Sequence, residues 1–309
     1  MVNSEQPDVA VIVPTRDRRH LLPRALDSVF AQTHANFELI VVDDCSSDDT
    51  SSYLGAIADR RLKWHRFGEW RGGNVARNFA VELSRAPILS FLDSDDYLLP
   101  NRLERVIDYF SLHKEIDILL SSYASISGNT RTTHSNPEAI FSRDQLERYL
   151  IGYCLFLGGS GISVRRQAFI EIGGFDPTLM RMQDRDFLLR AARTRGCGSV
   201  ADIDWIKSRT EGSLSLQREG KLSSLGELSL RHLVMRERYA QLLHYLVARE
   251  IMGPFVQAKL GLVIKAISEA SHSPGLDFAP LSIFYDYYRG KRLRKELRRE
   301  IGRLKSYRC

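Results

Sequence analysis

Cysteine is scarce in this 309-residue chain, and the four that occur are scattered. Cys45, Cys154, Cys197 and Cys309 form no CxxC pair. That argues against a zinc site and a disulfide framework, and it fits a reducing cytoplasm. No run of about 18 uncharged apolar residues exists, so no transmembrane helix is expected. Met1 to Asp8 is polar and lacks an apolar stretch, so no secretory signal is expected. No internal repeat or low-complexity block is visible apart from a basic tail. What remains is an ordinary globular composition, 43% hydrophobic and 27% charged. The length allows one large domain, or one domain plus an appendage.

A strong net charge is missing from most of the chain. Arg289 to Cys309 holds ten Lys/Arg against two Glu, so the tail carries +8 of an overall +6. The other 288 residues are therefore slightly acidic, at −2. A nucleic-acid groove in the main fold is not expected from that distribution.

The densest chemistry lies in Phe91-Leu92-Asp93-Ser94-Asp95-Asp96-Tyr97. The run Ala86 to Leu92 reads as a short buried strand, and three carboxylates follow it directly. Such carboxylates repel one another unless a cation sits among them. Oxygen-only ligands suit Mg²⁺ or Mn²⁺, and Mg²⁺ commonly uses one or two carboxylates plus substrate phosphates. The competing reading is a solvated loop with an Asp cap for a helix from about Arg102.

Strand and helix patterns alternate through the first half. Val9 to Val13 is a continuous apolar strand, and Phe37 to Val42 is a second apolar strand, ending in Asp43-Asp44. Leu21 to Gln32, a stretch ending at about Ala58, and Asn74 to Ser84 read as helices, with a third strand over Arg61 to Arg66. This order predicts βαβ units and a mostly parallel sheet covered on both faces, with ligands bound beyond the strand ends. Asp43-Asp44 and Asp93 to Asp96 both fall at such ends. Asp117 to Tyr123 and the end of Gly158 to Arg165 read as further strands. Arg166 to Ile172 and Gln183 to Arg195 read as helices. After about residue 210 the pattern turns helical, over Leu222 to Arg249 and Gly253 to Ser271. The expected division is 1–210 for an α/β domain and 211–309 for a helical C-terminal region.

These segments carry a family resemblance. Val11-Ile12-Val13-Pro14-Thr15-Arg16-Asp17-Arg18, Leu26 to Thr33, Phe37 to Asp44, Gly73-Asn74-Val75-Ala76-Arg77-Asn78, Phe91 to Asp96, Gly173-Gly174-Phe175-Asp176 and Gln183-Asp184-Arg185-Asp186 occur in the order and spacing of a family 2 glycosyltransferase. The chain resembles that family over most of its first 200 residues and not after about 210. The resemblance implies the GT-A fold, a hexosyltransferase-type activity with a nucleotide-sugar donor (UDP-, GDP- or dTDP-linked), Mn²⁺ or Mg²⁺, and inversion at the anomeric carbon. The acceptor it implies is a growing glycan or a lipid-linked sugar, as in bacterial cell-envelope polysaccharide synthesis.

By that resemblance Pro14 and Thr15 would meet the nucleotide base, Asp44 would accept a hydrogen bond from it, and Arg77 would lie near the base or diphosphate. Asp93 would touch the ribose and Asp95 would ligate the metal. Asp96 would sit behind the metal or cap the helix after Pro100, and the ordinary alternative for Asp43 and Asp44 is that one of them caps the helix that directly follows them. Asp184 holds the position of the general base, which takes the acceptor hydroxyl's proton. Gln183 stands where the family has Glu. Asp186, two residues on, is the alternative base, or simply an acid favoured by the helix dipole. Trp70, Arg71 and Gly158 to Gly161 are candidate cleft walls. With no histidine between His134 and His232, no histidine ligand is nominated. A sugar nucleotidyltransferase is the rival enzyme class. It needs a Gly-rich loop after the first strand, where this chain has Pro14 to Arg18 without glycine. A catalytically silent glycan-binding subunit is the rival outside enzymology, and the joint presence of Asp44, Asp95 and Asp184 speaks against it.

In the tail, Leu293, Leu297, Ile301 and Leu304 form one apolar stripe on an Arg/Lys-rich helix, preceded by the aromatic segment Leu281 to Tyr288. Two readings stand. One is a peripheral contact with an anionic membrane, on the inner face of the cytoplasmic membrane. The other is packing on the catalytic domain or on a second subunit as a homo-oligomer.

Overall fold

The computed structural model describes residues 6–208 and 219–304. The expected boundary at 210 and 211, and the end of the tail including Cys309, lie outside the described residues. The first half runs β1 (Val9–Thr15), α1 (Leu22–Phe30), β2 (Phe37–Asp43), α2 (Thr50–Ala56), β3 (Leu62–Arg66), α3 (Gly73–Leu83), β4 (Ile88–Phe91), β5 (Tyr97–Leu98) and α4 (Arg102–Leu112). Then come β6 (Ile118–Ser127), β7 (Thr130–His134), β8 (Ala139–Phe141), α5 (Arg143–Ile151), β9 (Ile162–Arg165), α6 (Arg166–Ile172), α7 (Gln183–Ala191) and β10 (Cys197–Ser208). The C-terminal region holds α8 (Lys221–Arg231), α9 (Val234–Glu237), α10 (Ala240–Val256), α11 (Leu260–His272) and α12 (Ile283–Gly302).

The strands form one mixed sheet in the order β3-β2-β1-β4-β9-β6-β10-β5, with β7 on β6 and β8 on β10. Strands β3, β2, β1 and β4 are parallel neighbours, joined through helices. β9 runs antiparallel between β4 and β6, and β6 and β10 are parallel again. β1, β2 and β4 are buried at every position because both faces of the sheet are covered, which is why they read as mostly apolar runs, with the buried Glu38 of β2 held by Lys63 and Ser84.

Alternation along β1 sorts its side chains into two cores. Val9, Val11 and Val13 pack with Leu22, Leu26 and Val29 of α1 and Leu103, Val106 and Phe110 of α4. Ala10 and Ile12 pack with Ala76, Ala80 and Val81 of α3 on the other face. That second core continues into the C-terminal helices, where it takes in Leu242, Leu246, Ile251, Leu297 and Ile301.

β10 was not anticipated. Its polar residues hide the strand pattern, and one of them serves the interior. Asp204, almost fully buried, accepts from Arg102 of α4 at 3.1 Å and from Arg105 at 2.7 Å. Arg102, itself inaccessible, also donates to Ser163 of β9 at 3.0 Å. A buried ion pair thus stands where a buried strand would normally be apolar.

The helical region differs from expectation in its breaks. α8 ends at Arg231, and α10 runs unbroken across the expected interruption at residues 250–252, through Pro254 near its end. Pro254 has no N–H to offer the Glu250 carbonyl and its ring crowds that carbonyl, which suits a helix that stops two residues later. The tail stripe faces inward. Leu297 and Ile301 are buried in the core, and Leu293 and Leu304 pack against it. α12 is pinned to α5: Arg294 donates to the carbonyls of Gly152 at 3.0 Å and Tyr153 at 2.8 Å. Glu300 meets Arg148 at 2.7 Å and Tyr149 at 2.9 Å. Gly290 lets α12 approach α10 closely, since a Cβ there would overlap the Tyr245 ring. The stripe is therefore committed to intramolecular packing, and any membrane or subunit contact has to use another surface.

Candidate active site

A cleft of about 810 Å³ opens beyond the carboxyl ends of β1, β2 and β4. Pro14, Thr15, Asp44, Arg77, Asp93, Asp95, Asp96, Gln183 and Asp184 all line it, as do Trp70, Arg71, Gly158 and Gly159. Asp186 does not line it.

On one side the strand ends carry the carboxylates. Asp44 grips the turn leading into α3, accepting from Arg71 N at 2.7 Å and Gly72 N at 2.8 Å. Gly72 has φ of 95°, a conformation glycine adopts freely. Neither Asp43 nor Asp44 caps α2. Asp43 is buried against Ser46 N and Ser51 Oγ, both at 2.9 Å, and Asp48 holds Thr50 N at 3.1 Å at the helix start. Thr15 Oγ1 is buried and has no hydrogen-bond partner among the described residues, a group that a bound base could satisfy.

Arg77 reaches from α3 to Asp93 at 2.5 Å. The Asp93 amide donates to Ser160 Oγ at 3.0 Å, and Ser160 Oγ donates to Asp96 at 2.7 Å. Asp96 also accepts from Ser208 N at 3.1 Å, so it braces the loop against β10 rather than capping α4. Burial, then the charge of Asp93, pushes the Asp95 carboxyl above its usual range. Burial, Asp93 and Asp95 push Asp96 well above it. Such crowding is what a bound cation would relieve.

Among the described residues no group of three His, Cys, Asp or Glu side chains makes a closed metal cage. The donor set instead fits an open oxygen site, one or two carboxylates completed by ligand phosphates. A cation already sits nearby. Lys207, at the end of β10, faces Asp96, Asp93 and Asp184. Burial favours its neutral form, but these carboxylates outweigh it and push the amine up. Lys207 was missed because β10 was missed.

Across the cleft, α7 begins at Gln183 with Met182 before it in the left-handed region, φ 59°. Asp184 therefore sits in the first turn, facing the cleft, and one of its oxygens accepts from Arg185 N at 2.8 Å. Arg185 turns inward and lies 3.6 Å from the centre of the Tyr153 ring. Asp186 is buried and held by His232 at 2.9 Å and Arg190 at 2.9 Å. Burial works against its charge, but the His232 hydrogen bond and Arg190 prevail and hold its carboxyl below the usual range. Its partners are structural, and nothing in its sequence neighbourhood signalled His232.

Fold and cleft together define a GT-A glycosyltransferase. Residues 10–173, just over half of the chain, match the model of the Glycosyl transferase family 2, and the chain belongs to that family. It is 28% identical over 291 residues to succinoglycan biosynthesis protein ExoU of Rhizobium meliloti, covering 82% of each chain. It is 34% identical over 122 residues to the Escherichia coli UDP-Glc:alpha-D-GlcNAc-diphosphoundecaprenol beta-1,3-glucosyltransferase WfgD, covering 40% of this chain. The chain spans only about half, 48%, of WfgD, and 61% of a Haemophilus influenzae relative. Among solved structures it is similar in fold to Staphylococcus aureus TarS 1-349 in complex with UDP-GlcNAc, with a TM-score of 0.66, 20% identity, and 95% and 92% of the two chains covered. It is likewise similar to the mannosyltransferase PcManGT of Pyrobaculum calidifontis in complex with GDP-Man and Mn²⁺, with a TM-score of 0.60, 17% identity, and 96% and 84% covered.

Proposed function

We propose that this chain transfers a sugar from a nucleotide-sugar donor to a hydroxyl of a glycan or lipid-linked acceptor, with inversion, in cell-envelope polysaccharide synthesis. The observation that carries the reading is the meeting, in one cleft, of the β4-end carboxylates with Asp184 on α7. WfgD, whose named acceptor is a diphosphoundecaprenol-linked sugar, supports the lipid-linked class.

In this reading Pro14 and Thr15 bound the base pocket. Asp44 fixes the turn over it and offers a remaining lone pair to a ring N–H. Arg77 orients Asp93 toward the ribose, and Asp95, backed by Asp96, is the carboxylate for Mn²⁺ or Mg²⁺. When bound, the ion neutralises the charge developing on the leaving diphosphate. Lys207 adds a fixed positive charge on the same side. Asp184 accepts the proton of the acceptor hydroxyl as its oxygen attacks the anomeric carbon and the diphosphate departs from the opposite face. Gln183 contributes hydrogen bonds on the acceptor side. The work is done from the cytoplasm, at the inner face of the membrane.

The test is thermal unfolding with UDP-, GDP- and dTDP-linked sugars, with and without Mn²⁺. One donor should raise stability, by about 2.7 kcal/mol at a hundredfold excess over its Kd. If the folded chain responds to none of them, the transferase reading fails.

A further inference from the structure

With the tail stripe buried, the exposed apolar surface lies elsewhere. Phe255 at the end of α10, Leu260 and Ile264 of α11, Leu281 just before α12, and Phe284 and Tyr288 of α12 are all exposed, Leu281 fully. They lie at one junction. The Phe255 and Phe284 rings meet edge to face at 5.7 Å, tying α10 to α12. A tight turn, in which Lys259 N bonds Pro254 O at 3.0 Å, brings α11 directly after α10. Clustered large apolar side chains about half or more exposed mark an interaction surface rather than ordinary scatter.

The charges beside them select the partner. Residues 255–265 and 281–292 contain Lys259, Lys265, Arg289, Lys291 and Arg292 against the single acid Asp286. All five cations are exposed, Arg292 with Glu296 beside it at 3.3 Å. Aliphatic and aromatic side chains beside such a basic rim match the acyl boundary and anionic headgroups of a bilayer. Among the described residues no helix is long and apolar enough to cross one, so the contact would be interfacial.

We propose that this α10–α11–α12 junction seats the protein on an anionic membrane surface. The position suits the cleft. On α10, Arg249 lies 5.2 Å from the Tyr153 ring and Glu250 pairs with Lys221 at 2.9 Å, and both Tyr153 and Lys221 line the cleft. Phe255 follows Arg249 by six residues, about 9 Å along the helix. A bilayer at the junction therefore lies close to the acceptor side of the cleft. The membrane contact stands on the surface alone, whereas its use in presenting a lipid-linked acceptor rests on the function proposed above.

The test is co-sedimentation of the full chain with phosphatidylcholine vesicles, with and without phosphatidylglycerol, at low and high salt. Binding should require phosphatidylglycerol and weaken with salt. The double variant Leu260→Ser, Phe284→Ser should lower partitioning about tenfold or more. Lys291→Glu with Arg292→Glu should weaken binding and shrink its salt-sensitive part. Leu112→Ser, at an exposed apolar residue of α4, should change nothing. Donor-induced thermal shifts in the same samples report whether each variant is folded and whether the transferase reading holds, independently of vesicle binding. Failure of the wild type to bind anionic vesicles at low salt, or undiminished binding by the Leu260/Phe284 variant, overturns the proposal. So does a dimer that this variant dissolves while the wild type ignores vesicles, because the junction would then be covered by a second copy.

Discussion

His232 Nε2 lies 2.9 Å from Asp186 Oδ1, both side chains buried, and this contact ties the first helix turn after the cleft to the end of α8. Arg193 approaches the other ring nitrogen at 3.4 Å, which puts the ring hydrogen on Nε2. Nearby, Arg231 of α8 pairs with Asp176 in the segment leading to α7. The C-terminal helices thus hold the helix that carries Asp184.

Replacing His232 with alanine should destabilise the fold by about 1–3 kcal/mol, the cost of leaving part of a buried acceptor unsatisfied. Urea unfolding measures it. A loss of activity without any loss of stability would contradict this structural role.

Asp186 also sets a pH dependence. Its folded carboxyl titrates below the unfolded value of about 3.9. Its contribution is therefore fully present above that value and is lost as pH falls through the lower folded one. Asp186→Asn should remove this part of the acid sensitivity, read from unfolding free energies between neutral pH and about pH 3.

Asp184→Asn should leave donor binding intact and lower transfer by about 10²–10⁴-fold, the usual contribution of a general base. Asp186→Asn should cost stability instead. If Asp186→Asn abolishes transfer in folded protein while Asp184→Asn does not, the roles are reversed.

The carboxylates were legible because Asp44, Asp93 and Asp95 follow mostly apolar runs, and a parallel sheet places strand ends on one edge. Asp184 was legible only through the family pattern, since an acid in a first helical turn has many ordinary uses. Lys207 was not legible. Recognising it required β10, whose pattern is interrupted by Asp202 and Asp204, the latter buried against Arg102. The tail stripe was visible, yet its covering depends on partners distant in sequence, such as Gly152 at the end of α5, 142 residues before Arg294. A one-dimensional pattern reports that a face is apolar, not what lies against it.

Asp95→Ala should abolish Mn²⁺-dependent donor binding with the fold retained, measured by calorimetry. In the wild type, protons and the ion compete for the same raised carboxylates. Affinity should therefore climb as pH rises through and above the usual carboxylate range. Undiminished metal-dependent binding by the variant would remove Asp95 from the site.

Lys207→Met separates the protein's own cation from the bound one. Lys207 faces Asp96, Asp93 and Asp184, so its loss leaves their mutual repulsion less opposed. The metal-free variant should melt below the wild type, and Mn²⁺ should raise its Tm by more than it raises that of the wild type, because the ion then relieves a larger excess of negative charge. Donor binding without metal should weaken, since the diphosphate loses one of the cations that line the cleft beside Asp95, Arg18 being another. Equal Mn²⁺ shifts in variant and wild type would mean that the ion and Lys207 act on different carboxylates, and that Asp96 rather than Asp95 is the group Lys207 serves.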